Sequence, residues 1–204
     1  MAVGQDYKVL TVGLYDLNTF TTDEAMLPTR GGDWYDGGLW QNLFLHNWGT
    51  KNDLVKGSWD YFYKVIAQAN QSLDKLKEIL ENNPENISVP KYISEVRAFR
   101  AMYYYYLLDM FARVPLVTSS SVAMEDVVQS ERSAVFNFVR TELEESVEDL
   151  SDAHSNLTGE YYGRITKPVA YFLLAKLALN AESLMQMTIG RTVPNWMERI
   201  SNLQ

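Results

Sequence analysis

The residues best equipped to bind a ligand are concentrated between residues 30 and 52. This stretch combines tryptophan rings, which offer flat apolar faces, with carboxylate, guanidinium, imidazole and amide groups, which offer hydrogen bonds. The candidate ligand-binding residues are Arg30, Asp33, Trp34, Asp36, Trp40, His46, Trp48 and Asn52. Glycine pairs at 31–32 and 37–38 permit tight backbone turns around such groups. The pattern indicates a binding loop, and the alternative is that Trp40 and Trp48 only anchor this loop on a helical scaffold.

Catalytic patterns are weaker than this binding pattern. Asp33 and Asp36 could form the carboxylate pair of a glycoside hydrolase, but short acidic pairs beside glycines are usually turn formers. The two histidines, His46 and His154, stand far apart in the sequence and lack the spacing of metal ligands. The sequence has no nucleophile elbow, P-loop or dinucleotide fingerprint. We therefore expect no enzyme activity, no metal and no cofactor.

Composition excludes several other classes of protein. The chain has 204 residues and a net charge of −8, and an acidic surface repels phosphate backbones, so nucleic-acid binding is not expected. It contains no cysteine, which removes disulfides and thiol chemistry. It has no apolar run long enough to span a membrane, and its first residues do not form a signal peptide.

Hydrophobic periodicity predicts that helices position this loop. Tyr7, Leu10, Leu14 and Leu17 recur at helical spacing and predict a first helix near residues 5–18. Residues 21–57 fit neither helical nor strand periodicity, which predicts a long ordered loop with one short helix.

Four longer helices are predicted after the loop. The second begins at Ser58 as its N-cap and stops at residues 82–84, and the third runs from near Pro90 to a point before Pro115. The fourth covers about 131–150, the fifth begins at Thr166, and a short amphipathic piece at 195–203 closes the chain. The third and fifth helices are apolar on nearly all faces, so each must be covered on several sides. We predict an all-α fold of tetratricopeptide-like stacked helix pairs, at about 58–112 and 131–187, in a single domain over residues 1–204.

The third helix carries the most unusual composition. In "EVRAFRAMYYYYLLDMFARVPLVT", residues 95–118, four consecutive tyrosines lie on several faces and are predicted to be mainly core. Arg97 and Arg100 lie on the same apolar helix, so we expect each to be paired with Glu95 or with an acidic group on a neighbouring helix. The acidic fourth helix is interpreted as a solvated face.

These segments resemble the SusD-like (RagB/SusD) family. The third-helix segment is similar to the family's signature in Glu95, Arg97, Arg100, Ala101, Tyr103 to Tyr105 and Val114 to Val117. Three other blocks agree in order, namely "WDYFYKVIAQANQSLDKL", "GRITKPVAYFLLAKLALNAE" and "TTDEAMLPTRGGDWYDGG". The resemblance covers most of residues 10–182. One departure is Ala112, where the family usually has glycine, so the turn after the third helix is expected to differ locally.

The resemblance implies a function that composition and periodicity do not. It implies a non-catalytic protein that binds oligosaccharide on the cell-surface side of the outer membrane of a Bacteroidetes bacterium, as the lipoprotein partner of a TonB-dependent porin. Its members are longer, so the chain is expected to be an N-terminal portion, held at the membrane only through a lipid anchor that is absent from this sequence. The alternative function is a helical-repeat scaffold that binds a protein partner and no sugar.

Overall fold

The computed structural model describes residues 13–49 and 51–185, and within them every regular element is helical, as predicted. The α-helices are α1 Tyr15–Phe20, α2 Leu39–Phe44, α3 Asp53–Asn82, α4 Val89–Phe111, α5 Arg132–Ser146, α6 Lys167–Leu179 and α7 Ala181–Met185. No helix of the described segments is long and apolar enough to cross a membrane. The chain divides into two compact units, residues 1–64 and 65–204, which are described in turn.

Unit 1 contains α1, α2 and the start of α3. Leu17 on α1 and Trp40 and Leu43 on α2 are buried. The helix predicted near 5–18 is present at its C-terminal end as α1, whereas residues 5–12 lie outside the described residues. The single short helix predicted within the loop is α2, and a 3₁₀ turn at Asp36–Gly38 leads into it.

The start of α3 differs from the prediction. The helix begins at Asp53 and not after Ser58, so the loop is shorter than residues 21–57. The side-chain oxygen of Asn52 accepts hydrogen bonds from the backbone N–H groups of Leu54 (3.0 Å) and Val55 (3.2 Å). This oxygen satisfies two N–H groups that a helix start leaves without partners, which explains the earlier boundary. Ser58 is buried inside the helix, so its prediction as N-cap is wrong.

Unit 2 is built around α4. Tyr103, Tyr104 and Tyr105 are buried, which confirms them as core, and Tyr106 is half-buried. The main neighbour of α4 is α5, and α6 and α7 complete the packing around α5. The tyrosines suit this position because their rings fill the core while a hydroxyl reaches a backbone partner. The hydroxyl of Tyr104, for example, lies 2.8 Å from both the N–H and the carbonyl oxygen of Val117.

The acidic face of α5 is not fully solvated as predicted, because Glu142 is buried against α4. Its carboxylate accepts hydrogen bonds from Arg97 (2.8 and 3.0 Å) and Arg100 (2.5 Å). Arg97 also donates to Glu145 at 2.5 Å. Of the two partners expected for these arginines, the structure shows the acidic group on the neighbouring helix, Glu142, and not Glu95. Periodicity placed Glu142 among the polar residues of α5, but a buried arginine pair requires a carboxylate in contact.

The helix α6 was predicted to be covered on several sides, and one of its faces is exposed. Its residues Ala170, Leu173 and Leu177 are buried, whereas Tyr171, Phe172 and Leu179 are exposed. Hydropathy alone cannot distinguish these faces, since apolar side chains stand on both. The short helix predicted at 195–203 and the end of the second helix pair, beyond Met185, lie outside the described residues.

Candidate functional site

The tryptophan loop, defined here as residues 30–49, carries all but one of the predicted ligand-binding residues. Six of the eight are exposed, namely Arg30, Asp33, Trp34, Asp36, His46 and Trp48. Trp40 is buried, and Asn52 is half-buried because it caps α3. All eight belong to unit 1.

Trp40 forms the buried anchor of the loop. Its indole N–H donates a 2.6 Å hydrogen bond to Oδ2 of Asp36, and its ring meets the edge of Phe20 on α1 at 5.4 Å between centroids. Trp34 lies against Trp40 with 6.3 Å between ring centroids, in an edge-to-face arrangement. Because 51% of Trp34 is exposed, one part of this ring is held by Trp40 while another part faces solvent. Such a ring is positioned before any ligand arrives.

His46 and Trp48 form a second aromatic pair. The Nε2 atom of His46 lies 2.7 Å from the carbonyl oxygen of Thr21, which requires this nitrogen to donate. The His46 ring in turn meets the Trp48 ring edge-to-face at 5.3 Å. Trp48 is 39% exposed, so it too offers a ring surface that is held by a fixed neighbour.

The backbone of the loop adopts left-handed conformations at several non-glycine residues. Trp34 (φ 62°), Asp36 (φ 41°) and His46 (φ 56°) all have positive φ, which is unusual for residues with a Cβ and most unusual for tryptophan. Strained backbone of this kind is concentrated in binding and catalytic sites. Gly37 and Gly38 also have positive φ and make the turn into α2 without this cost.

Several supporting contacts of the loop were not anticipated from the sequence. Arg30 and Asp33 exchange two backbone hydrogen bonds of 3.0 Å, and Gln41 donates a 2.6 Å hydrogen bond to Oγ1 of Thr29. Thr21 supplies the carbonyl that fixes His46. Threonine and glutamine carry no distinctive spacing, so no sequence signal identifies these partners.

The chemistry available in the loop is recognition through rings and hydrogen bonds. Within residues 13–49 and 51–185, no group of three or more histidine, aspartate or glutamate side chains is placed to hold a metal ion. Asp36 is engaged with the indole of Trp40, which gives this carboxylate a positioning role.

Comparison with known proteins supports the resemblance to the SusD-like family described above. Residues 9–179 match the SusD-like family described as "Starch-binding associating with outer membrane". A SusD-like protein of Bacteroides ovatus is 24% identical over 152 residues, which cover 74% of this chain and 27% of the relative. The chain therefore spans about a quarter of the length of this curated relative.

Solved structures give the same result for the fold. A laminarin-binding SusD-like protein superposes with a TM-score of 0.62 and 25% identity, covering 94% of this chain and 45% of that one. A structure described with a xylogluco-oligosaccharide superposes with a TM-score of 0.68 and 20% identity over 97% of this chain and 35% of that one, a likeness of fold. Because the family match extends over most of its residues, the chain belongs to the SusD-like family.

Proposed function

We propose that this chain binds an oligosaccharide through the tryptophan loop and performs no catalysis. The observation that carries the proposal is a pair of exposed tryptophans, Trp34 and Trp48, each held against a fixed aromatic neighbour. The apolar face of a sugar ring stacks on such a surface without requiring further ordering of the side chain, which reduces the entropic cost of binding. A relative in the same family is named as laminarin-binding, which supports the choice of ligand class.

The eight candidate residues have different roles in this proposal. Trp34 and Trp48 contact the sugar ring, while the exposed polar groups of Arg30 and Asp33 bind its hydroxyls. The remaining four, Asp36, Trp40, His46 and Asn52, hold the loop in shape through the contacts described above. Trp40 is in the second group because a buried ring has no free face for a ligand, and Asp36 and His46 are in it because their polar groups are engaged within unit 1.

We further propose that the whole protein acts in nutrient uptake at the cell-surface side of the outer membrane. The family description associates its members with starch binding and with the outer membrane. In this proposal the protein delivers its glycan to a TonB-dependent porin and is attached to the membrane by a lipid anchor. Co-purification of the full-length protein with its porin from outer membranes would test the partnership, and recovery of the protein without any porin would contradict it.

The ligand proposal predicts the effect of removing each exposed ring. Trp34→Ala and Trp48→Ala should each weaken oligosaccharide binding by about 1 to 3 kcal/mol, since a desolvated stacking contact is lost. Titration calorimetry with laminarin and xyloglucan oligosaccharides, after a glycan-array screen, provides the measurement.

Tyr15 provides the matched control. It is an exposed aromatic residue of unit 1 outside the loop, so Tyr15→Ala should leave the affinity unchanged. Equal affinities for wild type and both tryptophan variants would contradict the assignment of the site.

The exposed apolar face of α6 supports a second candidate function, a scaffold that binds another protein. Tyr171, Phe172 and Leu179 leave aromatic and aliphatic surface uncovered. Substitution of Phe172 by Ser should disturb a protein contact at this face and leave glycan binding intact. A full-length protein that binds no glycan on an array would favour this candidate over the first.

A further inference from the structure

Unit 2 contains a cleft of about 600 Å³ that shares no residue with the tryptophan loop. Three segments line it: the first turns of α4 (residues 88–95), the turn after α5 (148–152) and the segment that leads into α6 (160–167). Its volume lies in the range of small-molecule sites, about 300 to 1,000 Å³. We name it the Arg164 cleft after one of its lining residues.

Two of the lining residues, Arg164 and Glu95, form an ion pair. Arg164 donates from Nε to Oε1 of Glu95 at 2.9 Å and from its NH2 group to Oε2 at 2.6 Å, a two-point contact that fixes both planar groups. These contacts with Glu95 raise the pKa of Arg164, so the guanidinium remains charged. The contact uses two of the five N–H donors of the guanidinium, and both carboxylate oxygens keep further acceptor capacity. Paired donors and acceptors therefore face the cleft at fixed positions.

Two aromatic rings lie close to the guanidinium of this ion pair. The guanidinium carbon of Arg164 lies 4.9 Å from the ring centroid of Tyr161 and 5.9 Å from that of Tyr92. Tyr161 is half-buried and Tyr92 is exposed, and both line the cleft. The site thus combines tyrosine rings, whose hydroxyls add further hydrogen bonds, with a planar donor–acceptor pair.

The lining selects against anionic and apolar ligands. Five carboxylates and three cationic groups line the cleft, so an anionic ligand meets an unfavourable local charge. Leu150 is the one aliphatic hydrophobic side chain among the lining residues, which leaves little surface for a hydrocarbon. No group of carboxylates in the described part of the chain is arranged to hold a metal ion. A neutral ligand rich in hydroxyl groups matches both the rings and the paired donors and acceptors.

We propose that the Arg164 cleft is a second carbohydrate site, which binds a neutral sugar with Tyr161 and Tyr92 against the sugar and with Arg164 and Glu95 on its hydroxyls. This inference rests on the proposed function of the chain as a glycan-binding protein. It adds to that function the location of a second site, the residues that contact the sugar there and a preference for uncharged sugars.

The test separates the two sites by titration calorimetry of the chain with a short laminarin oligosaccharide. The double variant Trp34→Ala/Trp48→Ala removes the tryptophan loop from binding and should retain one site per chain. In that background, Tyr161→Ala and, separately, Tyr92→Ala should each weaken the remaining binding about tenfold, as expected for loss of a ring contact. Tyr92→Ala leaves both partners of the ion pair in place, and thermal melting confirms that each variant is folded.

Tyr162→Ala is the matched control, because Tyr162 is an exposed neighbour of Tyr161 that does not line the cleft. It should leave the remaining binding unchanged. If the wild type binds the oligosaccharide and the double tryptophan variant does not, the cleft is not a carbohydrate site. The tryptophan loop then remains the binding site. Unchanged affinity after both cleft substitutions would overturn the proposed cleft site too, as would tighter binding of a sulfated than of a neutral oligosaccharide. Absence of any binding by wild type would overturn both proposals.

Discussion

Arg100 shows how a single buried charge organises unit 2. Its guanidinium donates to Oδ1 of Asn70 on α3 (2.8 Å), to the carbonyl oxygen of Thr118 (3.0 Å) and to Oε2 of Glu142 on α5 (2.5 Å). It also lies 5.3 Å from the ring centroid of Phe138. One residue of α4 thereby connects two other helices and the segment that follows α4. The arrangement satisfies a charge that would otherwise be costly to bury.

Glu142 is the residue whose loss should affect stability most among the acidic residues of α5. Glu142→Gln removes the charge that compensates the two guanidinium groups, and breaking a buried ion pair costs about 3 to 5 kcal/mol. Burial lowers the pKa of Arg97, but its hydrogen bonds to Glu142 and Glu145 outweigh that effect and raise it above its usual value. Glu145 still contacts Arg97 in the variant, so the cost falls mainly on Arg100, which loses its carboxylate partner. Chemical denaturation measures the change in the free energy of unfolding.

Glu144 on the same helix supplies the control for Glu142. Its ion pair with Arg140, at 3.9 Å, is partly exposed, so Glu144→Gln should change stability by less than about 1 kcal/mol. A similar loss of stability in both variants would show that the buried contacts of Glu142 contribute no more to stability than the partly exposed pair of Arg140 and Glu144.

Ala112 is strained at the end of α4. It has φ 64° and ψ −84°, a conformation that is costly for a residue with a Cβ, and its N–H bonds the carbonyl oxygen of Leu108. The departure from the family's glycine predicts a local difference in this turn, which stays a prediction; Ala112 itself has a positive φ. Ala112→Gly should therefore raise the free energy of unfolding by about 1 kcal/mol.

The comparison for Ala112 is Ala67, an exposed residue in the interior of α3. Ala67→Gly should lower stability by about 1 kcal/mol, because glycine is unfavourable inside a helix. Opposite signs in thermal or urea unfolding are expected, and destabilisation by both substitutions would contradict the strain at Ala112.

At the scale of elements, the start of α3 is fixed three residues after the end of the tryptophan loop. Asn52 caps the helix there through its side chain. Asn52→Ala should cost about 1 kcal/mol of stability, the usual effect of losing an N-cap. Differential scanning calorimetry provides the measurement.

A substitution at Ser58 also tests the assignment of Asn52 as the N-cap of α3. Its hydroxyl is buried inside α3 and has no hydrogen-bond partner in the described residues, so Ser58→Ala removes a polar group that gains nothing from burial. Stability should stay the same or rise. A larger loss for Ser58→Ala than for Asn52→Ala would restore Ser58 as the cap.

At the scale of the whole molecule, the buried tyrosines make stability dependent on alkaline pH. Burial raises the pKa of Tyr104 and of Tyr105 to about 12, because the phenolate is disfavoured away from water. In the unfolded chain their pKa is about 10. Their contribution is present in full below pH ~10 and is lost as the pH rises through ~12, since deprotonation then favours the unfolded state.

Urea unfolding between pH ~10 and ~12 measures this dependence. Tyr105→Phe should reduce the loss of stability across that interval by about 2 to 3 kcal/mol, since a phenylalanine ring does not titrate. The exposed Tyr162 serves for comparison, and Tyr162→Phe should leave the pH profile unchanged. Identical profiles for both variants and wild type would contradict the role of burial.

Sequence alone determined the all-α class, the bounds of α4 and the presence of a short helix in a tryptophan-rich loop. These features depend on local patterns, since helical periodicity, proline and glycine act over a few residues. The distinctive blocks around the tyrosines also sufficed to indicate the family. The proposal of a single domain over residues 1–204 stays a prediction.

Tertiary structure alone decided which side chains meet. Glu142 was assigned to solvent from its place on α5, yet it lies between Arg97 and Arg100, and Glu95 lies against Arg164 instead. Trp34 and Trp40 have the same side chain, but one is exposed and the other is buried. These outcomes depend on contacts between residues distant in sequence, and residue type and local spacing do not identify the particular partners.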